Sequence, residues 1–140
     1  MAIPRYRFRT RLKVNRAEKD PDGRVSTVSF ARYFESARTK FFEHLAREHA
    51  YRHPAGTALF MTSVNLHYRQ AVSFPARLEL TVGVLRADRR SLELGCSMWD
   101  DQDQCIANRF ASHVWIDLKR GRVSRMPAPF GLVAGTLIEE

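Results

Sequence analysis

The length and composition of the chain fit one globular domain. Its 140 residues are enough to bury a core without disulfides or structural metals. Hydrophobic residues make up 44% and charged residues 27%, which excludes a disordered protein. No apolar run approaches the roughly 20 residues that cross a bilayer, and the N-terminus lacks the apolar segment of a signal peptide. We therefore expect a single domain over residues 1–140, located in the cytoplasm, with no membrane partner.

Most of the net charge of +8 comes from one segment. Without the six basic residues that precede Glu18, the 23 basic residues fall to 17, against 15 acidic ones. From Arg5 to Lys13 basic residues alternate with Tyr6, Phe8 and Leu12, a pattern that predicts a half-buried strand with a basic exposed face. We favour a solvated face, and a polyanionic ligand or an acidic carrier protein remains as an alternative. A nucleic-acid partner is disfavoured, because no binding motif accompanies the charge.

The next elements in chain order are a turn and a long helix. Residues 18–23 contain Pro and Gly and predict a turn. Hydroxyl residues at 26–29 offer N-cap oxygens, so the helix begins there and runs to about His49, before Pro54 and Gly56. Its apolar residues recur at spacings of three and four and predict a helix buried over much of its circumference. These residues are Phe30, Tyr33, Phe34, Ala37, Phe41, Phe42 and Leu45.

Everything after Gly56 is expected to form strands, over 58–68, 76–87, 91–99 and 104–118. The tail from residue 126 is interrupted by Pro and Gly and ends in an apolar stretch, 132–138. One small flat sheet cannot cover a helix that is apolar over so much of its surface, whereas a long curved sheet can. The order predicts an α+β protein, in which a curved antiparallel five-stranded sheet wraps one long central helix. This arrangement is the hotdog fold.

The cysteines and histidines indicate neither disulfides nor a metal. Cys96 and Cys105 fit no disulfide framework and no paired zinc motif, so we expect reduced thiols. The five histidines have no metal-ligand spacing supported by a third ligand, so we assign no metal. His67 and His113 fall within predicted strands, where a histidine is more often structural than catalytic.

The segment from Asp20 to Arg38 resembles the 4-hydroxybenzoyl-CoA thioesterase-like family of hotdog acyl-CoA thioesterases. That family has an Asp, a turn ending in Gly, a hydrophobic residue two positions on, and a helix that often reads Tyr-Phe-Glu-x-Ala-Arg. The matching residues need no gap: Asp20-Pro-x-Gly23, Val25 and Tyr33-Phe34-Glu35-Ser-Ala37-Arg38. A looser resemblance continues through Val64-x-Leu66-x-Tyr68, Arg89-Arg90-Ser91, Val114-x-Ile116-Asp117 and Arg122 to Pro127.

The resemblance implies hydrolysis of an acyl thioester carried by coenzyme A or by an acyl-carrier protein. Asp20 would act as general base or nucleophile, and the backbone amide of Thr27 would contact the carbonyl. It implies no cofactor, because coenzyme A is part of the substrate. The residues implied in substrate binding are Gly23, Val25, Ser26, Arg89 and Arg90, the two arginines contacting coenzyme A phosphates. Many relatives have His-Val-Asn-Asn where this chain has Arg-Val-Ser-Thr at 24–27, and an Asp where it has Glu18.

The chemistry also follows from the residues. A thioester is already activated, so its hydrolysis needs little more than one carboxylate and one site for the developing oxyanion. Asp20 lies just ahead of a helix whose first N–H groups have no intrahelical partner, and those donors suit an oxyanion. The alternative is that Asp20 only forms the turn, since Asp before Pro commonly does.

Other charged residues near this motif have simpler interpretations. Asp22 and Glu18 are expected to be solvated turn charges. Glu35 and Arg38 are one helical turn apart and are expected to pair with each other or with the sheet, so Glu35 is only a secondary catalytic candidate. An Arg-Arg pair at a hairpin tip is commonly just an exposed turn.

Other functions are weaker alternatives, and the chain is also expected to form an oligomer. The main alternative is a non-catalytic acyl-thioester-binding hotdog protein. A hotdog dehydratase would need a His beside its carboxylate, and no His lies near Asp20 in the sequence, although a partner subunit could supply one. A Ser-His-Asp hydrolase is disfavoured, since there is no Gly-x-Ser-x-Gly motif. The resemblance implies a dimer or a dimer of dimers whose sheets join edge to edge, and the apolar stripe on residues 30–45 is wide enough for such pairing.

Overall fold

The computed structural model describes residues 2–139, which form six strands and two helices. In chain order these elements are β1 (Phe8–Lys13), α1 (Thr27–Glu48), β2 (Thr57–Tyr68), β3 (Arg77–Ala87), β4 (Ser91–Trp99), β5 (Cys105–Asp117), β6 (Arg122–Ser124) and α2 (Ala128–Leu137). A single turn of 3₁₀ helix at Arg16–Glu18 precedes α1.

The strands form one antiparallel sheet in the order β1-β3-β4-β5-β2, with the short β6 added on β5. The sheet curves around α1, and the inward side chains of β3 and β4 are fully buried beneath the helix. The predicted hotdog fold is confirmed. Four predicted strands lie within a residue or two of the observed ones, and β6 is an addition to the predicted five.

Helix α1 begins and ends where the sequence predicts. Ser26 is its N-cap, and its hydroxyl accepts a hydrogen bond from the backbone N–H of Ser29. The His49 amide donates to the carbonyl of Leu45, and Ala50 turns the chain away with a φ of 53°. The apolar stripe is buried as predicted, with Phe42 partly exposed at its margin: Phe30, Tyr33, Phe34, Ala37, Phe41 and Leu45.

The C-terminal tail is a helix, so the expectation that everything after Gly56 forms strands was wrong there. Pro129 lies in the first turn of α2, where a missing N–H costs nothing and the fixed φ favours the helix. The Phe130 ring packs 5.1 Å from the Tyr51 ring and 5.2 Å from the Trp115 ring. The buried side chains of α2 recur at helical spacings: Phe130, Ala134 and Leu137.

Along β1, partly buried and exposed residues alternate as predicted, and the exposed ones include the basic residues. Tyr6 just before the strand and Val14 just after it are buried. Part of that basic charge is paired within the chain. Arg5 donates to Glu79 at 2.9 Å and to Asp103 at 2.9 Å, and its guanidinium lies 4.7 Å over the Trp99 ring. The other basic residues of this segment lie on or next to β1, which forms one edge of the sheet.

Candidate active site

Asp20 organises the turn that leads into α1. Its Oδ1 accepts backbone hydrogen bonds from Asp22 and Arg24, both at 3.0 Å. The Asp20 amide donates to the Arg24 carbonyl at 2.7 Å, and the Gly23 amide donates to the Asp20 carbonyl. Gly23 has a φ of 82°, a conformation that glycine adopts without strain. Asp20 therefore has the turn-forming role expected of it, and this role occupies only one of its carboxylate oxygens among the described contacts.

The first turn of α1 leaves backbone donors beside Asp20. The Ser26 hydroxyl and carbonyl accept from the Ser29 amide, and the Ser26 carbonyl also accepts from Phe30. In the described part of the chain, the amides of Thr27 and Val28 have no acceptor, as expected for the first residues of a helix. Both residues are solvent-exposed. The helix start thus offers two N–H groups and a positive dipole end next to the carboxylate.

Asp20 and Thr27 line a groove of about 530 Å³, which we call the Asp20 groove. One wall is formed by the turn and the start of α1, the other by the end of β2 and residues 69–71. The Phe30 and Tyr68 rings meet across it, 5.8 Å apart. Arg69 is held in this wall by a 2.6 Å hydrogen bond from its Nε to Asn108. The predicted site residues that line the groove are Asp20, Val25, Ser26 and Thr27, with Gly23 in the adjoining turn.

Arg89 and Arg90 are not near Asp20 within one chain. Both are exposed in the turn between β3 and β4. The Asp20 turn lies at the opposite end of β3, because Arg24 bridges to Ser73 just before that strand. An 11-residue strand separates the two places, roughly 30 Å at about 3.3 Å per residue. Any contact of these arginines with a substrate held at Asp20 requires a second chain.

Glu35 belongs to a charged cluster between α1 and the sheet. Its carboxylate accepts from Arg38 at 2.8 Å and from Arg109 at 2.6 Å, so it pairs both along the helix and with β5, as expected. Burial alone would raise the pKa of Glu35, but the hydrogen bond from Arg109 and the charges of both arginines outweigh burial and lower it. The Arg109 side chain is only 3% exposed, so Glu35 compensates a buried charge.

Glu18 is not the solvated turn charge that the sequence suggested. Its carboxylate accepts from the Tyr33 hydroxyl at 2.8 Å and from the Asn15 amide at 3.0 Å, which ties the approach to the turn onto α1. Burial, and next the hydrogen bond to Glu18, raise the pKa of Tyr33, so the phenol keeps its proton. Asp22 is exposed, as expected.

A second groove, which the sequence did not reveal, lies at the other end of β2. It measures about 470 Å³ between the C-terminal half of α1, the loop after it and the first residues of β2. We call it the His53 groove, because His53 lies in its wall with Phe42 at 5.1 Å between ring centroids. Polar residues Arg38, Glu43 and Arg52 also line it.

Residues 2–139 contain neither a metal-ligand cluster nor a membrane-spanning helix. No three His, Cys, Asp or Glu side chains there are grouped closely enough to hold a metal ion. Neither described helix is long and apolar enough to cross a membrane.

Fold and groove together describe a hotdog domain with a carboxylate ahead of its central helix, and comparison with known families identifies the class of this domain. Residues 14–132 match the model of the thioesterase-like superfamily. The match covers most of the chain, so the chain belongs to the thioesterase-like superfamily, and the family expectation is confirmed. No curated protein matches the sequence.

Solved structures with low sequence identity share this fold. The hypothetical protein SAV2348 from Staphylococcus aureus, solved in complex with CoA, has a TM-score of 0.84 and 13% identity, over 100% of this chain and 90% of that one. Slr0204 from Synechocystis, a 1,4-dihydroxy-2-naphthoyl-CoA thioesterase, has a TM-score of 0.77 and 17% identity, over 91% and 95%. YbaW from Escherichia coli, a probable thioesterase, has a TM-score of 0.75 and 17% identity, over 94% and 99%.

Proposed function

We propose that this protein hydrolyses acyl thioesters of coenzyme A or of an acyl-carrier protein, with Asp20 as the catalytic carboxylate. The observation that carries the proposal is the Asp20 groove. One oxygen of Asp20 is fixed by the turn, the other makes none of the described hydrogen bonds, and Thr27, whose amide has no described acceptor, lines the same groove. Membership of the thioesterase-like superfamily supports thioester hydrolysis in general.

The groove has the groups that this chemistry needs. As general base, Asp20 would take a proton from a water whose oxygen attacks the thioester carbon, and the departing thiolate would take up that proton. As nucleophile, Asp20 would attack the thioester carbon and expel the thiolate, forming an anhydride that water then hydrolyses to the free acid and the Asp20 carboxylate. Both routes place negative charge on the carbonyl oxygen, and the Thr27 amide and the helix dipole favour that charge.

Coenzyme A is the carrier that the neighbours favour, since SAV2348 was solved with CoA and Slr0204 acts on a CoA thioester. Arg24 and Arg69 line the Asp20 groove and place positive charge at its mouth. A carrier's phosphates would be attracted there. Neither arginine was singled out from the sequence.

We also propose that the chain is a homodimer joined through β2. The sheet ends in β1 on one side and β2 on the other. The exposed face of β1 is basic, which discourages pairing with another strand. Strand β2 is 12 residues long without one charged residue. A long neutral edge of this kind favours a partner, as do its half-exposed apolar side chains: Phe60, Val64 and Tyr68.

Pairing two β2 strands antiparallel, about a twofold axis between residues 62 and 63, sets Tyr68 opposite Thr57 of the partner subunit. Ser91 pairs with Val114 and Thr57 with Asp117, so the β3–β4 hairpin tip lies at the Thr57 end of the sheet. In the dimer, Arg89 of the partner subunit therefore approaches the end of the sheet that holds Asp20. In the dimer, the predicted contacts between Arg89 or Arg90 and the coenzyme A phosphates would form between subunits rather than within one chain.

Replacing Arg89 and Arg90 together with alanine is expected to raise KM for acyl-CoA roughly tenfold, a loss of about 1.4 kcal/mol of binding, with little change in kcat. Phosphate contacts far from the reacting carbon stabilise ground state and transition state alike. Steady-state kinetics with acyl-CoA and with a short thioester lacking the nucleotide measure this, with Arg47→Ala as an exposed control. Equal losses on both substrates would show that the pair supports the fold.

We expect a dimer, or a dimer of dimers, at micromolar concentration, measured by light scattering after size exclusion. Val64→Glu should split it and abolish activity, because two like charges would then meet near the twofold axis. Leu132→Glu is the matched control, since Leu132 is 84% exposed on α2, away from this edge. A fully active species of about the 16.2 kDa chain mass would refute both the assembly and a site shared between chains.

The second candidate function, a non-catalytic acyl-thioester binder, predicts tight binding of acyl-CoA with no release of free thiol. The Asp20 groove is exposed, and amides at its edge have no described acceptor. We favour catalysis over non-catalytic binding, because such amides can stabilise the negative charge that develops on the carbonyl oxygen during hydrolysis. Thiol release across a panel of acyl-CoAs distinguishes the two.

A further inference from the structure

The Asp20 groove and the His53 groove lie at opposite ends of the same edge strand, β2. Tyr68 and residues 69–71 line the first, while Thr57 and residues 58–59 line the second. Residues of α1 line both, so both lie on the helix side of the sheet. The antiparallel β2 pairing proposed above sets each Asp20 groove against the partner's His53 groove. Each groove is lined by two arginines and one carboxylate, so the junction holds acidic and basic side chains from both subunits.

His53 is held in a defined orientation in its groove. Its Nδ1 lies 2.8 Å from the Tyr51 hydroxyl, and its ring packs against Trp115 at 5.5 Å between centroids. Burial raises the pKa of Tyr51 to about 12, so the phenol carries a proton that needs an acceptor. Among the described residues, His53 Nδ1 is the acceptor within reach. The Tyr51 O–H therefore donates to Nδ1, which leaves the imidazole proton on Nε2.

The ring is neutral at ordinary pH. Burial, and next the positive charge of Arg38, lower the pKa of His53. The residue nonetheless keeps an exposed face in the isolated chain. His53 lines its groove, and its Nε2–H makes none of the described hydrogen bonds, so this donor is available to a group that enters the groove.

We propose that Nε2 of His53 of the partner subunit donates a hydrogen bond to the carbonyl oxygen of the thioester held at Asp20. Each dimer then has two sites, each with its carboxylate and helix amides from one chain and this donor from the other. The inference rests on the proposed function and on the β2 dimer. It adds a side-chain donor from the partner subunit to the backbone donors at the start of α1.

His53→Phe tests the role of the donor, because phenylalanine keeps an aromatic ring between Phe42 and Trp115 but cannot donate. We expect kcat to fall roughly a hundredfold with KM nearly unchanged, the loss typical of one oxyanion donor. His53→Gln, which retains an N–H donor, should recover part of that loss. His49→Gln is the control, since His49 is exposed and lines neither groove.

Mixed dimers test whether the contact crosses the subunit boundary. An Asp20→Asn chain paired with a His53→Phe chain leaves one site with both defects and one site intact, so the mixed dimer should recover about half of wild-type activity. Chains carrying two different affinity tags, purified in tandem, give this species cleanly. A double-variant chain paired with wild type is the matched control and should stay nearly inactive, because each of its sites carries one defect.

The outcomes separate the two proposals. No recovery in the mixed dimer, or a His53→Phe enzyme with wild-type kcat, would overturn the His53 contact while Asp20 stands. An Asp20→Asn homodimer with full activity would overturn the proposed function itself.

Discussion

Glu35→Ala is expected to lower the free energy of unfolding by about 2–3 kcal/mol, because it leaves the buried guanidinium of Arg109 without its carboxylate. The Arg109 side chain is 3% exposed and Glu35 is 46% exposed, so water can replace part of the lost contact. This places the expected cost below the 3–5 kcal/mol typical of breaking a fully buried pair. For a chain of this length the midpoint of thermal unfolding should fall by roughly 10 °C.

Two further variants make this result specific. Arg38→Ala removes the more exposed partner of Glu35 and should cost about 1 kcal/mol or less. The double change Glu35→Ala with Arg109→Met should be more stable than Glu35→Ala alone, because it removes the uncompensated charge. Calorimetry with matched activity assays measures all of these. A Glu35→Ala protein of wild-type stability that has lost turnover would instead assign Glu35 to catalysis.

The lowered pKa of Glu35 fixes the sign of its pH dependence. A carboxylate with a depressed folded-state pKa contributes stability above its ordinary value of 4.5. That contribution is lost as pH falls from 4.5 through the folded-state pKa. The contribution of Glu35 to the free energy of unfolding should therefore be constant near neutral pH and decrease only at acidic pH.

The helix and the sheet could be predicted because their patterns are local. The spacing of Phe30, Phe34, Phe41 and Leu45 fixes one face of α1, and β-rich runs separated by turn residues fix β2 to β5. The tail was misjudged since residues 132–138 are too short and too apolar to distinguish a buried strand from a buried helix. Pro129 at the helix start was the signal that could have decided it.

Strand β5 shows what periodicity could not reveal. Its apolar residues Phe110 and Val114 share a parity, yet Phe110 is 41% exposed while Arg109 and His113 are buried. Arg109 can be buried on the inward face because Glu35 of α1 accepts a hydrogen bond from it there. Burial, and next the charge of Arg38, lower the pKa of His113 to about 4, which keeps it neutral in the core. A pairing between distant residues of this kind leaves no trace in a local pattern.

The candidate site, too, could be predicted only where its residues are close together in the sequence. The sequence brings together Asp20, Gly23 and Thr27 because one turn and one helix start contain them all. The Asp20 groove also needs Tyr68 and Arg69, which reach it from the end of β2, 40 residues or more along the chain. The predicted role of Arg89 and Arg90 stays a prediction, since their place in the fold requires a partner subunit.

The catalytic role of Asp20 is the central claim, and Asp20→Asn tests it most directly. Asparagine keeps an oxygen that can accept the turn's hydrogen bonds from Asp22 and Arg24, so the fold should be preserved. It cannot act as base or nucleophile, so kcat/KM for acyl-CoA should fall at least about a hundredfold. Asp22→Asn, an exposed neighbour in the same turn, is the matched control and should retain full activity.

The measurement is thiol release by wild type, Asp20→Asn and Asp22→Asn, with circular dichroism and acyl-CoA binding recorded on the same samples. We predict that Asp20→Asn has a wild-type spectrum, still binds acyl-CoA and releases almost no thiol. A folded Asp20→Asn protein that releases thiol at close to the wild-type rate would contradict the assignment.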